Sequence, residues 1–462
     1  MPLFLGHLLR FFYHKNDNKL IGEPQVRNPL SLFAKIISLS VGNYDKNSKI
    51  IRKSEKNRKN KSKIMKNYKF KRIFLIVTDS LGIGDDGFQK KFNDQGANTL
   101  YSVSKTGELK IPFWKKMGIG NIAKIENFGK KNKQPLAYVS KIIVKSKAKD
   151  TLAGHLEMMG IETVKPSPNF DDGFPDELIN ELQKAFDNRQ IIGNKSISGT
   201  VILAELGQKA IDENKIIVYT SPDSTLQICG HEEKLGLENL YRYAKAARKI
   251  CSSRPEWNVA RVIARPYIGE DGNFKRTFNR HDYANIPPKS ILDSLQKNGI
   301  ETIGIGKIAD IFSNQGLDKI FGPNTDENNM DIAIDIASQE SENQFIFVNL
   351  VEFDSSYGHR RDVMGYCQNL NNFDIKLAKL ANALKDDDLL IISSDHGNDP
   401  CFPGTNHTRE ALPLTIFSKK FKSKTKELKN PISSLATIGN LIAKNFGIEM
   451  AEIGEDIFDF LD

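Results

Sequence analysis

Short runs of apolar residues that end in a polar or acidic side chain recur along the chain. The first covers residues 71–79, Lys-Arg-Ile-Phe-Leu-Ile-Val-Thr-Asp, and similar runs lie at 302–306, 345–354, 389–395 and 414–417. Near-continuous apolar runs of this length are typical of parallel strands that are covered on both faces. The pattern therefore predicts the strands of one buried sheet.

Between these runs, apolar residues recur at intervals of three and four, which places them on one face of a helix. The predicted helical faces are Ile291, Leu292 and Leu295, then Phe373, Leu377, Leu380 and Leu384, and finally Leu435, Ile438 and Ile442. Gly299 and Gly447 follow the first and the last of these and are expected to end them. Alternating strands and helices predict an α/β protein with a layered sheet.

Residues 166–286 have a different pattern, because the runs of the first sheet resume only after them. The predicted elements here are helices at Pro175–Phe186 and around Leu237–Ile250, and strands at Ile216–Thr220 and within Val259–Tyr283. We expect this region to be an α+β domain inserted into a core domain. The two parts of that core are then residues 65–165 and 287–462.

Charge is distributed unevenly along the chain. The whole sequence has 66 Lys and Arg against 57 Asp and Glu, a formal net charge of +9. Residues 1–64 contain 14 basic and 4 acidic residues, so the remaining 398 residues contain 52 and 53 and have a net charge of −1. A body without a basic excess offers no electrostatic footprint for nucleic acid.

Residues 1–64 are predicted to form a basic, disordered extension. The stretch from Asn43 to Lys66 is dominated by Lys, Asn, Ser and Arg and cannot bury a core. The extension is either a basic tail or transit peptide, or an upstream stretch of a protein whose synthesis begins at Met65. We favour the second interpretation, because sequence typical of a folded protein starts almost directly after Met65.

The cysteines and the length of the apolar runs indicate the compartment. The four cysteines are widely spaced and form no C-x-x-C motif, which argues against a disulfide scaffold and fits a reducing environment. No run approaches the roughly 18 apolar residues of a membrane-spanning helix. We therefore expect a cytoplasmic protein without a membrane partner.

Carboxylates and histidines cluster where the predicted strands end, at the sheet edge where ligands of open α/β proteins bind. The six residues are Asp79, Asp354, His359, Asp395, His396 and His407. A lone Asp at a strand end is more often a helix cap, and a lone His is more often a satisfied surface or core residue. However, five of the six lie within 54 residues of one another. Mixed oxygen and nitrogen ligands suit manganese, zinc or iron better than calcium, and six suffice for two ions that clamp a phosphoryl group.

Thr151 is the candidate nucleophile. It precedes a helix-like stretch through Met159, so its hydroxyl would lie at a helix N-terminus, where backbone N–H groups favour anions. A metal ion could make its alkoxide available. The alternative interpretation is an ordinary N-cap threonine.

A glycine pattern after the first strand resembles a dinucleotide-binding motif. Residues Gly82, Gly84 and Gly87 match G-x-G-x-x-G, but Asp85 and Asp86 within the loop would face a pyrophosphate. We do not expect nucleotide binding here.

The predicted inserted domain contains several arginines and one notable aspartate. Arg261, Arg265, Arg276 and Arg280 lie on strand or loop segments, and arginine is well suited to bidentate capture of phosphate. Surface ion pairing explains them equally well. Asp223 could accept hydrogen bonds from sugar hydroxyls or could form an Asx turn.

Several longer segments together are similar to one known family. They are Arg72–Ser80, Gly96–Thr99, Lys149–His155, Ile192–Lys195, Tyr219–Ser224, Asn279–Tyr283, Tyr357–Asp362, Ser394–Pro400 and Pro403–Glu410. In these segments the sequence resembles the phosphopentomutases of the alkaline phosphatase superfamily, over essentially all of residues 65–462. The resemblance implies an alkaline-phosphatase-like layered sheet core with an inserted α+β cap domain.

The resemblance also implies roles for individual residues. Asp79, Asp395 and His396 match the ligands of one manganese ion, and Asp354, His359 and His407 match the ligands of another. Thr151 matches the threonine that carries the phosphoryl group, and the residues that match substrate-binding positions are Asp223, Arg261, Arg276 and Lys307.

The family interconverts (deoxy)ribose 1-phosphate and (deoxy)ribose 5-phosphate through a phosphothreonine enzyme and a sugar bisphosphate. The resemblance therefore implies an isomerase with two Mn²⁺ per chain and a sugar bisphosphate activator. Its partners would be small pentose phosphates, without an obligate protein partner.

The sequence departs from the family pattern at Ala153, Glu352, Asn406 and the loop 85–88. None of these is among the six predicted ligands, so we expect an active enzyme. Two alternatives stay open. One is a phosphatase or cofactor-independent phosphoglycerate mutase of the same superfamily, and the other is a binding protein whose basic extension contacts RNA or membrane.

Overall fold

Two β-sheets and the helices packed against them make up the regular structure of the protein. The computed structural model describes residues 68–462 apart from residues 166, 222–223, 271–272, 286, 323 and 424–427. The predicted extension, residues 1–64, and the candidate residue Asp223 lie outside the described residues.

The strands of the described residues are, in chain order, β1 Arg72–Thr78, β2 Tyr138–Ile142, β3 Ile191–Ile192, β4 Ile216–Tyr219, β5 Thr225–His231, β6 Arg261–Ile268, β7 Lys275–Arg276, β8 His281–Ala284, β9 Glu301–Ile305, β10 Lys319–Phe321, β11 Gln344–Leu350, β12 Asp388–Ser393 and β13 Leu412–Phe417. The α-helices are α1 Thr99–Ser104, α2 Pro112–Met117, α3 Thr151–Met158, α4 Asp176–Ala185, α5 Gly199–Asp212, α6 Leu237–Cys251, α7 Ile291–Lys297, α8 Ile308–Ile311, α9 Asp326–Ser338, α10 Val363–Ala383 and α11 Ala436–Asn445.

A seven-stranded sheet forms the larger layer, in the order β10-β9-β11-β1-β12-β13-β2. The strands from β10 to β12 run parallel, and β13 is antiparallel to both of its neighbours. Because β1 is central and pairs with β11 and β12, the carboxyl ends of these three strands lie side by side.

The apolar runs are continuous because both faces of this sheet are covered. Along β1, Phe74 and Ile76 face a hydrophobic cluster formed with α9 and α10. Ile73, Leu75 and Val77 face the opposite cluster, formed with α7 and α11. This alternation is the two-residue period of a strand, and it produces a helix–sheet–helix layering that confirms the predicted α/β fold class.

A second sheet is built by β3-β4-β5-β6-β7, with β8 paired to β6. One face packs on α4 and α6 through a cluster that includes Leu178 and Tyr243. The other face carries α5, through a cluster that includes Tyr219 and Tyr267. The whole sheet lies within residues 166–286, and the assignment of that region as a separate inserted domain stays a prediction.

The predicted strand 345–354 is too long. In the structure β11 ends at Leu350, and Phe353–Gly358 form a π-helical turn. Asp354 therefore lies in a helical turn just beyond the strand rather than at its end.

The described part of the chain contains no helix that combines the length and the apolar content needed to cross a membrane. Its four cysteines are all free, and only Cys401 is exposed.

Candidate metal centre

The ends of the two adjacent strands β1 and β12 place Asp79 and Asp395 next to each other. Ser80 directly follows Asp79, and its φ of 80° is in the left-handed region, which is unfavourable for a non-glycine residue. This turn directs the backbone N–H of Ser80 at Asp395, where it donates to Oδ1 at 3.1 Å. Strained backbone of this kind is found at functional sites, where surrounding contacts hold it in place.

His396 completes the first cluster of candidate ligands. Its Nε2 lies 3.3 Å from Asp79 Oδ1 and 3.4 Å from Asp395 Oδ2. All three side chains are buried, and the two carboxylate oxygens that face the imidazole have no hydrogen-bond donor. Buried carboxylate oxygens without a donor are costly unless a cation satisfies them.

The second cluster contains Asp354, His359 and His407. Asp354 Oδ2 lies 3.1 Å from His359 Nε2, and Asp354 Oδ1 lies 3.4 Å from His407 Nε2. The ring of His407 stacks on that of His396 with centroids 3.9 Å apart, and ligand atoms of Asp354, His396 and His407 lie within 4.8 Å of one another. The two clusters are therefore contiguous.

Backbone carbonyls orient two of the imidazoles. His396 Nδ1 lies 3.1 Å from Gly397 O, and His359 Nδ1 lies 2.7 Å from Thr405 O. A carbonyl can only accept, so each Nδ1 carries a hydrogen, and Nε2 is the ring nitrogen that is left to bind either a proton or a metal ion. Metal-binding histidines in proteins have this arrangement.

The charges of the site perturb one another strongly. Burial raises the pKa of Asp79, and the Asp395 carboxylate raises it further. Burial would also raise the pKa of Asp395, but the charge of His396 and the contact with His155 hold it at about 2. Burial would lower the pKa of His396, but the charge of Asp395 and the contact with Asp79 raise it to about 10. The carboxylates that raise this pKa would also attract a divalent cation.

The pKa of Asp354 lies well below its usual value. Burial opposes this shift, but hydrogen bonds from His359 and His407 outweigh it. Asn398 adds a neutral donor, with Nδ2 2.7 Å from Asp354 Oδ1. With its oxygen and imidazole donors, the site fits divalent metal ions.

Thr151 lies against the first cluster. It is the first residue of α3, and its Oγ1 is 3.1 Å from His396 Nε2. The N-cap of this helix is Asp150, whose side chain accepts from Ala153 N. The alternative of an N-cap threonine is therefore wrong, and the Thr151 hydroxyl is not engaged in capping.

The structure does not join the other candidate substrate residues to this cluster by a hydrogen bond or ion pair among the described residues. Arg261 lies 3.8 Å from Asp282, and Arg276 donates to Tyr219 at 3.2 Å, both within the second sheet. Among the described residues, Arg276 Nε is buried without a partner. Lys307 is the N-cap of α8.

The glycine-rich loop after β1 surrounds a carboxylate. Gly84 N donates to Glu410 Oε2 at 3.1 Å, and a side chain on Gly82 would overlap Glu410. The loop N–H is thus already used within the protein.

Two of the departures from the family pattern lie outside the two clusters. Glu352 accepts from the backbone N–H of Asp326 at the start of α9, at 2.6 Å. The backbone oxygen of Asn406 accepts from Arg361 at 3.1 Å.

Two buried residues that contact the first cluster were not identified from the sequence. Asn349 in β11 donates to Asp79 Oδ2 at 2.9 Å, and His155 in α3 lies 3.2 Å from Asp395 Oδ2. The signal for Asn349 is a single amide within the apolar run Phe-Ile-Phe-Val-Asn-Leu-Val. For His155 we find no local signal, because its position on the buried face of α3 depends on the tertiary fold.

Comparison with known proteins adds independent information. A family model described as the Metalloenzyme superfamily matches residues 71–450. Phosphopentomutase of Mycoplasmopsis pulmonis is 60% identical over 394 residues, which cover 85% of this chain and 99% of that protein. Phosphopentomutase of Clostridium tetani is 46% identical over 401 residues, with coverages of 85% and 99%. Among solved structures, Leishmania mexicana phosphoglycerate mutase aligns over 84% of this chain and 98% of its own, with a TM-score of 0.39 and 11% identity.

Proposed function

Because the chain belongs to the phosphopentomutase family, within the metalloenzyme superfamily, it is an isomerase, and we propose that it interconverts (deoxy)ribose 1-phosphate and (deoxy)ribose 5-phosphate. The proposed route uses a phosphothreonine enzyme and a sugar bisphosphate intermediate. The similarity to these relatives favours this reaction over that of a phosphatase or a phosphoglycerate mutase.

The position of Thr151 carries the proposal for the covalent step. Its hydroxyl is 3.1 Å from His396 Nε2, at the N-terminus of α3, and it makes no capping bond. In the proposed reaction, phosphothreonine donates its phosphoryl group to the free hydroxyl of a pentose monophosphate. The bisphosphate then reorients in the site. Its other phosphoryl group is transferred to Thr151, which restores the phosphothreonine and leaves the isomeric monophosphate.

Two Mn²⁺ ions, one at each cluster, would screen the charge of the transferring group and favour the alkoxide of Thr151. The residues that would hold them are Asp79, Asp395 and His396 for one, and Asp354, His359 and His407 for the other. Support comes from the donor-free oxygens of Asp79 and Asp395 and from the tautomers of His396 and His359. A sugar bisphosphate would be needed to prime the enzyme.

We assign the second sheet to a cap that binds the substrate and keeps water from the phosphoenzyme. Two arginines of this sheet could bind the substrate phosphate. Arg276 Nε is buried without a partner among the described residues, and Arg261 Nη1 lies 3.8 Å from Asp282 Oδ2, a weak ion pair. Lys307 and Asp223 are proposed to contact the sugar phosphate on the strength of the family resemblance alone.

Pentose phosphates are the proposed partners, and the cytoplasm is the proposed compartment. The four free cysteines support a reducing environment. The net charge of −1 over residues 65–462 offers no basis for proposing nucleic acid.

A coupled assay tests the reaction. The purified chain with Mn²⁺ and a sugar bisphosphate should convert ribose 1-phosphate to ribose 5-phosphate. Absence of conversion by a folded, Mn²⁺-loaded protein would reject the proposed function.

The nucleophile is tested by intact-mass analysis after incubation with a sugar bisphosphate. The unsubstituted chain should gain one phosphoryl group, and Thr151→Ala should gain none while remaining folded. Thr163→Ala is a matched control near the same helix, because the described hydrogen bonds of Thr163 use only its backbone. Full labelling of Thr151→Ala would show that another residue carries the phosphoryl group.

A further inference from the structure

Behind the first metal cluster, two polar side chains are buried where the proposed reaction gives them no task. His155 in α3 and Asn349 in β11 are both 0% exposed. Neither is one of the six candidate ligands. Their contacts nevertheless reach both carboxylates of the first cluster and the residue that carries the nucleophile.

The orientation of the Asn349 amide follows from its neighbours. Nδ2 lies 2.9 Å from Asp79 Oδ2 and 3.2 Å from His155 Nε2. A carboxylate that binds a metal ion is ionised and can only accept, so the amide nitrogen must face Asp79. The amide oxygen is then buried without a partner, which destabilises a protein by about 1–3 kcal/mol. An apolar residue of similar size would avoid this penalty, so stability alone does not explain the asparagine.

The tautomer of His155 follows from the same contacts. The second hydrogen of the Asn349 amide points at Nε2, so Nε2 must accept and the ring hydrogen must be on Nδ1. Nδ1 lies 2.9 Å from the backbone oxygen of Thr151 and 3.2 Å from Asp395 Oδ2. The shorter contact, to the Thr151 carbonyl, takes the hydrogen, because Asp395 Oδ2 has no hydrogen-bond partner. Stacking on Phe347, with centroids 5.6 Å apart and planes at 28°, fixes the ring.

The result is a continuous buried connection from Asp79 through Asn349 and His155 to the backbone of Thr151. It occupies Asp79 Oδ2, which leaves Oδ1 to face His396, and it places the ring of His155 against Asp395. Residues that orient metal ligands in this way usually change metal affinity or activity by about 10- to 100-fold when they are replaced.

We propose that His155 and Asn349 are a pair of positioning residues that fix the ligand geometry of the first metal cluster relative to the Thr151 nucleophile. This inference rests on the proposed function for the role of Thr151. Its metal-binding part can be tested without any mutase activity.

Direct titration with Mn²⁺, followed by the electron paramagnetic resonance signal of the free ion, measures the first part. His155→Phe keeps the ring stack on Phe347 and removes the three polar contacts of the imidazole. Asn349→Leu removes both amide donors at similar volume. Each should weaken Mn²⁺ binding at one site by about 10- to 100-fold and leave the other site nearly unchanged. His155→Asn, which can still donate to the Thr151 carbonyl, should retain more affinity than His155→Phe.

The second part is read from phosphoenzyme formation at saturating Mn²⁺. If the pair also positions Thr151, His155→Phe should form phosphothreonine more slowly even when both metal sites are filled, with kcat falling more than KM rises. The double variant His155→Phe/Asn349→Leu should lose little more than either single variant, because the two residues act as one unit.

The control is His231→Phe, which replaces a second buried histidine at the end of β5 in the other sheet. It should lower the unfolding temperature without changing the Mn²⁺ affinity. The proposal is overturned if folded His155→Phe binds both Mn²⁺ ions as tightly as the unsubstituted chain. If His155→Phe does not fold, the same result with His155→Asn and Asn349→Leu overturns it. If the unsubstituted chain proves inactive as a mutase, the proposed function fails, and the Mn²⁺ affinities still decide the metal-binding part of this inference.

Discussion

At the scale of the residue, the approach of α3 to the first metal cluster depends on the missing side chain of Gly154. A Cβ at this position would lie 2.3 Å from the backbone oxygen of Asp395 and 2.7 Å from its Cβ. Backbone cannot move aside as a flexible side chain can. The helix that carries Thr151 can therefore lie this close to a candidate metal ligand only with glycine at position 154.

We expect Gly154→Ala to displace α3 and to lower kcat by about 100-fold, since misplacement of a reacting group by about 1 Å has effects of that size. Overpacking should also destabilise the protein by about 1–3 kcal/mol. Steady-state kinetics and urea unfolding measure the two effects. Gly207→Ala is the control, because the three atoms nearest to its new Cβ all belong to the ring of Phe274 rather than to backbone, and it should keep its activity. Normal kinetics of Gly154→Ala would show that α3 tolerates a shift.

A buried carboxyl outside the metal centre makes stability depend on pH. Burial raises the pKa of Asp326 to about 7, although Asn369 and the backbone N–H of Glu352 donate to it. The folded-state pKa is above the usual value of 3.8, so the stabilisation from the neutral form is complete below about pH 3.8 and is lost as the pH rises through 7.

Asp326→Asn should remove this loss. Its gain in the free energy of unfolding over the unsubstituted chain should be larger at pH 8 than at pH 5, by on the order of 2 kcal/mol. Urea unfolding at the two pH values measures it, with Asp335→Asn on the exposed side of the same helix as the control. An equal difference at both pH values would mean that Asp326 is ionised in the folded protein throughout.

The residues that sequence reasoning found and those it missed differ in a physical respect. Asp395, His396 and His407 belong to one loop rich in Gly and Pro, where several donors in succession are unusual for a turn. Asn349 is a single amide within an apolar run, and His155 lies on a short helix that also buries Thr151 and Glu157. Their function depends on side-chain partners that are distant in sequence, and only the packed sheet brings those partners together.

At the scale of the element, the side chain of one arginine, Arg409, contacts two other segments near the site. Arg409 is buried and donates to Asp86 at 2.6 Å, to Ser146 O at 2.8 Å and to Val144 O. It thereby connects the segment before α3 with the loop after β1 and the loop that ends in β13. The loop 85–88, which departs from the family pattern, thus supplies Asp86 as the ion-pair partner of Arg409.

Arg409→Met should destabilise the protein by about 3–5 kcal/mol, because the buried charge of Asp86 would lose its cation and keep only the backbone N–H of Phe88 as a donor. Chemical unfolding measures the change. Arg242→Met breaks the exposed ion pair to Asp187 and should have a much smaller effect. The double variant Arg409→Met/Asp86→Asn should regain part of the loss, and a failure to do so would place the cost in the lost carbonyl contacts instead.

Strands were predicted better than the turns that follow them. The apolar runs fixed β1, β11 and β12 to within a few residues, since a strand buried on both faces leaves a simple pattern. The π-helical turn at Phe353–Gly358 has no comparable pattern, so the sequence placed Asp354 on a strand end. The turn keeps Asp354 close to His359, because a residue and the one five positions later share one side of a π-helix.

At the scale of the whole molecule, the candidate metal centre concentrates charge within a nearly neutral body. Asp79 and Asp395 are buried beside each other at the centre of the seven-stranded sheet, where mutual repulsion opposes folding. Metal ions that bind only the folded state should therefore contribute to its stability.

We expect removal of metal by a chelator to abolish activity and lower the unfolding temperature. Added Mn²⁺ should restore both, and the unfolding temperature should keep rising with Mn²⁺ concentration above the dissociation constant. Differential scanning calorimetry measures the temperature. Asp79→Ala should reduce the response to Mn²⁺ because it removes a predicted ligand. An unfolding temperature that does not respond to Mn²⁺ would contradict the two-metal assignment.

The central place of β1 has a consequence for how the protein is made. Among the described strands of the sheet, β1 is the first to leave the ribosome. Both strands that pair with it come much later in the chain, and Arg72 is separated from its partner Asp388 by 316 residues. During most of synthesis an apolar strand has no partner on either edge, which is the condition under which nascent chains aggregate and chaperones bind. A chain that stops before residue 388 contains all strands of the second sheet, but it lacks three of the six predicted metal ligands. Metal uptake would thus distinguish finished chains from truncated ones.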